Sequence, residues 1–287
     1  MNDSLQLKAL VNGAYDLQKL RMQTGLRIVA NYKVRLGQAP GERETELSDD
    51  SKRLLAEMRI EYKRITDALI ETGKRRNIKF PAQSLITDEV DYALMRQYVS
   101  LESEESTQFK TIERRVKNHI LMPFCETVKG FGPAMLAVVI ACVDIHKCST
   151  PSKLWAYCGL DVASDGRGRS RRKEHLVERE YINKKGEKSV RASITFNPFL
   201  KTKMVGVLGP CLLKAGGEYA TIYRDYKHRL ETNPAHTEKT NGHRHNMAMR
   251  YMVKMFLLNL WLFWRAAEGL PVRDLYSAEK QHQPQHS

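Results

Sequence analysis

Acidic residues are in short supply in this chain: 33 Asp and Glu stand against 47 Lys and Arg, a formal net charge of +14 over 287 residues. Such a bias leaves the fold open but favours polyanionic partners, nucleic acid before anionic membrane. Cysteine is scarce as well. The five, Cys125, Cys142, Cys148, Cys158 and Cys211, are odd in number and form no CxxC pair. That argues against a disulfide framework and for reduced, mostly buried thiols in a cytoplasmic protein. A zinc set of Cys142, His146, Cys148 and Cys158 has no usual ligand spacing. Long apolar runs are missing too. The longest, MVKMFLLNLWLFW, is too short to span a bilayer and carries Lys254 and Asn259. The opening MNDSLQLKAL lacks a basic-then-apolar signal layout, so no membrane partner is expected. Neither GxGxxG nor GxxxxGK[ST] occurs, which leaves no phosphate-binding fingerprint of the nucleotide-binding folds.

What is present is helical periodicity. Leu7, Leu10, Val11, Ala14 and Leu17 recur at helical spacing and predict a helix over residues 3–37. GQAPGE breaks it. Ser48 or an adjacent Asp supplies an N-cap for the next helix, where Leu55, Met58, Tyr62, Ile65 and Leu69 are spaced 3, 4, 3, 4, a coiled-coil seam. After the basic loop ETGKRRNIKFPAQS, a third long helix is expected from near Thr87 toward residue 120. These helices either pair with another copy or pack within the chain. The carboxylates Glu42, Glu44, Glu46, Asp49 and Asp50 form an acidic cluster that reads as a solvated loop and cap.

The composition changes after residue 122. VKGFGPAML places Gly130 and Gly132 around Phe131, with Pro133 at the first position of a helix to about Cys142. MPFCETV before it predicts a short helix, so the unit reads as a helix-hairpin-helix. Two functions suit such a turn. Its glycines and the free N–H groups of the second helix can meet a phosphate, with Lys129 adding charge, or the glycines only let helices pack closely. Residues 161–191 then carry ten Lys/Arg (167, 169, 171, 172, 173, 179, 184, 185, 188 and 191) against six Asp/Glu. HLVEREYI alternates well enough for a hairpin arm. Residues 198–230 read as helical with a break at Gly216-Gly217, and residues 245–268 as a last apolar helix stopped by Gly269 and Pro271. Tyr219, Tyr223 and Tyr226 interleave with Arg224, Lys227 and Arg229, either to bind DNA or to cover the bundle. His243 and His245 read as loop or cap residues, and Arg250 and Lys254 share a helix face that could reach phosphate.

The order of these segments resembles the C-terminal domain of the DEDD-type insertion-sequence transposases, the IS one-ten group with the Piv invertases. The carriers are VKGFGPAMLAVVIACVDIHKCSTPSKLWAYCGLD, then Ser149 to Leu160, Ser164 to Arg169 and Asn183 to Arg191, covering about residues 122–270. The resemblance implies DNA recombination through a serine nucleophile, with a RuvC-like domain holding divalent metal, a linking coiled coil and, in part of the family, a structured guide RNA. No RuvC-like segment is visible here, and the chain begins about where the family's coiled coil would begin. A partner supplying that domain is therefore implied, with Mg²⁺ if the protein is catalytic. Ser164 falls where the nucleophile loop should be, and Ser170 is its rival. Asp165 or a metal-bound water would take the proton.

The expectation is a mainly α protein: a helical coiled-coil region over residues 1–121, a helix-hairpin-helix-containing domain with a short β-hairpin over 122–270, and a flexible tail over 271–287. The expected function is double-stranded DNA binding in transposition, by a homo-oligomer joined through the coiled coil. The alternatives are a non-catalytic DNA-binding accessory factor or decayed transposase, and an RNA-binding protein. The DNA contacts would come from Lys129, Gly130, Gly132, Arg167, Arg169, Arg171, Arg172, Lys173, Lys184, Lys185 and Arg191, in the main through the backbone.

Overall fold

Helix dominates, with one antiparallel hairpin among the described residues. The computed structural model describes residues 2–39, 44–72, 78, 80, 84–236 and 238–272. Glu42, most of the basic loop 71–84 and most of the tail lie outside them. The chain divides into two units, one of residues 8–114 and one of residues 1–7 with 115–287.

The first unit is built from α1 (Asn2–Arg35), α2 (Asp49–Thr72) and α3 (Glu89–Val116). Ser48 caps α2, its hydroxyl accepting from the Ser51 N–H at 3.2 Å, and Asp88 caps α3 by accepting from the Asp91 N–H at 2.8 Å. The seam on α2 is spent inside the chain. Leu55, Met58 and Ile65 are buried with Ile28, Val29, Ile86, Met95 and Tyr98, and Tyr62 and Leu69 pack on that cluster. Gly25 lets α1 approach, since a Cβ there would stand 3.1 Å from both the Leu55 side chain and the Tyr98 ring. The buried Glu105 carboxylate is satisfied by Gln18 at 3.0 Å and by Arg21, whose guanidinium this hydrogen bond holds in its charged form. Glu44 accepts from Lys33, Ser48 and Ser51, which pulls its carboxyl down to about 2. The acidic cluster is thus partly consumed in capping.

The second unit strings together α4 (Met122–Thr127), α5 (Pro133–Cys142), α6 (Pro151–Tyr157), β1 (Val177–Ile182), β2 (Lys188–Ser193), α7 (Pro198–Lys201), α8 (Gly209–Ala215), α9 (Glu218–Thr232) and α10 (Asn241–Ala267). Prolines open α5, α6 and α7, where a missing N–H costs nothing, and Thr150, Asn197 and Thr240 cap α6, α7 and α10. The last cap shifts an expectation. Thr240 accepts from the His243 N–H, so the polar stretch GHRHN is the first turn of α10 instead of a loop. Between α7 and α8, Thr202–Leu208 is π-helical, with the Gly209 N–H reaching back to the Met204 carbonyl. Pro210 follows at once; it has no N–H to give and its ring would strike an α-helical carbonyl, so the widened turn accommodates it.

α10 is the core of this unit. Met252, Val253, Phe256, Leu257, Leu260 and Trp261 are buried, and Phe256 meets Phe131 at 4.9 Å and Tyr219 at 5.6 Å between ring centres. Trp261 donates to the Cys148 carbonyl at 2.7 Å, and the buried Arg265 donates to the carbonyls of Ile145, Cys148 and Pro271. Trp261 and Trp264 are core residues, as are Tyr219 and Tyr223, while Tyr226 stacks on Tyr251 at 4.1 Å. The tyrosine stripe therefore covers the bundle. Among the described residues no helix is long and apolar enough to cross a membrane.

Candidate functional site

Two glycines flank Phe131 in the turn between α4 and α5, and the structure gives them different neighbours. Gly130 has φ +89°, and a Cβ there would lie 2.7 Å from the Cys211 carbonyl oxygen and 3.0 Å from the Ala215 Cβ. It is a packing glycine against α8. Gly132 is extended (φ −98°, ψ 171°) and exposed, with nothing within 4 Å of a built Cβ. Gly130 and Lys129, which precedes it, are exposed as well. The turn is pinned from behind by Phe131, buried, and by the Cys125 thiol, which donates to the Phe131 carbonyl. Burial pushes that thiol up to about 11, so it is inert as a nucleophile.

The second feature is the loop from Leu160 to Leu176. An isolated bridge between Val162 and Gly168 folds it back on itself, with Ala163 N–H to Arg167 carbonyl at 2.8 Å and Arg169 N–H to Asp161 carbonyl at 3.0 Å. Its floor is basic. Arg250 on α10 donates to the carbonyls of Gly159 and Asp161, and Gly168 sits against the guanidinium so closely that a Cβ there would be 2.6 Å away. Lys201 on α7 donates to the Arg169 carbonyl and lies 4.6 Å from the Phe196 ring centre. Burial, with Arg250 nearby, brings the Lys201 ammonium down to about 8. Lys254 lies over Trp155, and burial lowers it as well. Arg250 and Lys254 thus act from beneath the loop. The Asp161 carboxylate pairs with Arg169 at 3.0 Å through one oxygen, while its other oxygen is buried without a hydrogen-bond partner among the described residues.

Above this floor three side chains form a chain that no periodicity announces. Ser170 Oγ lies 2.9 Å from His175 Nδ1, and the Ser170 N–H donates to the same nitrogen at 3.0 Å. Nδ1 accepts from that N–H, so it carries no proton, and Nε2–H donates to Asp165 Oδ2 at 3.0 Å. The hydrogen bond from His175 holds the Asp165 carboxyl below its ordinary range. His175 is 2 % exposed, Ser170 is half-buried and Asp165 is exposed. Ser164 lies in the turn of the loop, exposed, and Asp165 is directed to His175 and to the Arg167 N–H instead of to it.

The basic residues fall into two groups. Arg167, Arg171, Arg172 and Lys173 are exposed on the loop; Lys184, Lys185 and Arg191 are exposed on the hairpin. Among the described residues no carboxylate lies within ion-pairing distance of any of them, whereas Arg169 is committed to Asp161. His245 accepts from or donates to the Tyr223 hydroxyl at 2.6 Å, and no group of three or more His, Cys, Asp or Glu among the described residues is placed to hold a metal ion. The divalent metal implied by the resemblance has no ligand set within these described residues.

No curated protein and no solved structure matches the chain. A family model matches the segment after residue 122. Residues 123–197, which hold the glycine turn, the Ser170–His175–Asp165 loop and the hairpin, are similar to the model of the transposase IS116/IS110/IS902 family.

Proposed function

We propose that the protein binds duplex DNA and acts in DNA transposition, and that Ser170 is its strand-joining nucleophile. The similarity of residues 123–197 to the transposase IS116/IS110/IS902 family model supports the first part. The hydrogen-bonded chain Ser170–His175–Asp165 supports the second, because a serine hydroxyl attacks only when a base removes its proton. Ser170 Oγ would pass its proton to His175 Nδ1 while Asp165 steadies the imidazolium through Nε2–H. Oγ then bonds to phosphorus, and the P–O bond to the departing deoxyribose oxygen breaks. That oxygen takes the proton back from Nδ1, and a phosphoserine diester remains for the incoming strand to displace. Arg167 and Arg171 would neutralise the pentavalent state from the exposed side. Ser164 is the second reading, favoured by its exposure in the turn where the resemblance places the nucleophile.

The test is covalent trapping. Wild type, Ser170→Ala, Ser164→Ala and His175→Gln are incubated with labelled duplex and Mg²⁺, then run under denaturing conditions. The expected result is an adduct in wild type and Ser164→Ala, none in Ser170→Ala, and little in His175→Gln. An adduct that vanishes only in Ser164→Ala would overturn the assignment to Ser170. Binding without any adduct, also when a RuvC-like partner domain or a structured guide RNA is supplied, would make the protein a non-catalytic accessory factor.

A further inference from the structure

The hairpin is two-faced. Its register pairs Val177 with Ser193, Arg179 with Arg191 and Tyr181 with Ser189; between them Glu178 pairs with Ala192, Glu180 with Val190 and Ile182 with Lys188. Directly opposed residues share a face, and neighbours along a strand alternate. One face therefore holds Arg179, Arg191 and Tyr181 with two serines and a valine, and no acid. The other holds both glutamates with Ile182, Val190, Ala192 and Lys188. Neither face is covered. Every residue of β1 is exposed, and in β2 only Ser189 and Ser193 are half-buried.

An uncovered two-stranded ribbon is marginal in water, and like charges set directly opposite each other weaken it further. The Arg179–Arg191 pair is such a case. Arg191 is held over the Tyr181 ring, 4.9 Å from its centre, and neither arginine has a carboxylate within ion-pairing distance among the described residues. The tip is organised to present cations. Asn183 Oδ1 accepts from the Lys185 and Glu187 N–H groups at 2.9 and 3.0 Å, Gly186 takes the left-handed turn position, and Lys184 and Lys185 stand exposed between them. Like faces of two copies would repel each other, and the opposite face offers the arginines of a second copy only Glu178 and Glu180, with Lys188 among them. A polyanion relieves the arginine pair. The major groove of duplex DNA admits a two-stranded ribbon, and arginine is the side chain suited to guanine edges and phosphates there.

We infer that the β1–β2 ribbon is a DNA-contacting arm: its Arg179, Tyr181 and Arg191 face enters the major groove, and Lys184 and Lys185 at its tip contact phosphates. This rests on the reading that the protein binds duplex DNA. The test uses the full chain with a labelled duplex of about 30 base pairs, followed by anisotropy over a salt series of about 50 to 300 mM. Lys184→Gln with Lys185→Gln should lower the slope of log K against log salt by about 2, since each phosphate contact contributes about 0.9. Arg179→Gln with Arg191→Gln should weaken binding about tenfold or more at fixed salt. Glu178→Gln with Glu180→Gln, on the opposite face, should not weaken it. All six positions are exposed, and circular dichroism of each variant checks that the fold is kept. Wild-type binding with both basic pairs neutral in effect would overturn the arm alone. Equal loss from the glutamate pair would overturn the face assignment. Tighter binding to structured RNA of equal length, lost in the same variants, would replace DNA as the occupant. If wild type itself fails to bind duplex, the DNA-binding reading falls first and the arm with it.

Discussion

Gly130→Ala and Gly132→Ala form a matched pair, two residues apart in one turn, for which the structure sets opposite outcomes. At Gly130 the backbone sits at φ +89°, and a methyl would press on the Cys211 carbonyl oxygen at 2.7 Å and on Ala215 at 3.0 Å. The positive φ costs a side-chain-bearing residue about 1–3 kcal/mol. The crowding is against helical backbone, which cannot swing aside, and overpacking of this kind costs about 1–3 kcal/mol more. The total, about 2–6 kcal/mol, corresponds to a fall in Tm of about 4–24 °C at about 2–4 °C per kcal/mol. At Gly132 the backbone is extended and the space open, so alanine narrows the unfolded ensemble and leaves stability unchanged or raised by about 0.4–1 kcal/mol, with Tm unchanged or higher. Thermal unfolding followed by circular dichroism reads both, and duplex binding by anisotropy reads what remains. A Gly130→Ala protein that melts within about 2 °C of wild type would refute the packing argument. Weakened duplex binding by a fully folded Gly132→Ala would make Gly132 the phosphate-facing member of the pair, and unchanged binding would make the turn a packing device only.

Three further outcomes follow from other parts of the molecule. Burial lowers Lys201 and Lys203 from 10.5 to about 8, so between these values the unfolded chain holds more protons than the folded one and stability rises with pH; below about 8 both lysines are charged in either state and the full penalty applies. Urea midpoints at pH 7, 8 and 9 should climb in wild type and climb less in Lys203→Met, and parallel curves would contradict this. Arg250→Met, which removes the donor to Gly159 and Asp161, and Gly168→Ala, which displaces the guanidinium, should both speed amide hydrogen exchange over residues 160–170; slow exchange in both would show that the loop holds itself. Glu105→Ala leaves Arg21 and Gln18 half-buried without their acceptor and should destabilise the unit of residues 8–114 by about 2–4 kcal/mol, somewhat less than a fully buried pair would lose; an unchanged urea midpoint for that unit would refute it.

What the sequence made legible was local. The helical spacing on α2, Pro133 at the start of α5 and the alternation of HLVEREYI each act within a few residues of themselves, and each produced the expected helix or strand. The start of α10 was missed because a threonine cap turns a polar stretch into helix, and polarity alone reads as loop. The π-helical turn was missed because its cause, Pro210, lies after it in a segment otherwise read as helix. His175 carries no signal either. It stands five residues after one serine and ten after an aspartate, a spacing that means nothing until the Val162–Gly168 bridge folds the loop.

The glycine turn shows why such a site resists sequence reading. Gly130 and Gly132 are indistinguishable in VKGFGPAML, and the question put to them, phosphate or packing, assumed one answer for both. The residues that separate them are Cys211 and Ala215 on α8, brought to one side of the turn by a helix whose course is set by Pro210 and by its contacts with α10. Both glycines are exposed, but Gly130 abuts Cys211 and Ala215, while a side chain at Gly132 would meet only open space. The room around the turn is thus decided by an element far along the chain: a ligand reaching it meets an open side at Gly132 and one occupied by α8 at Gly130.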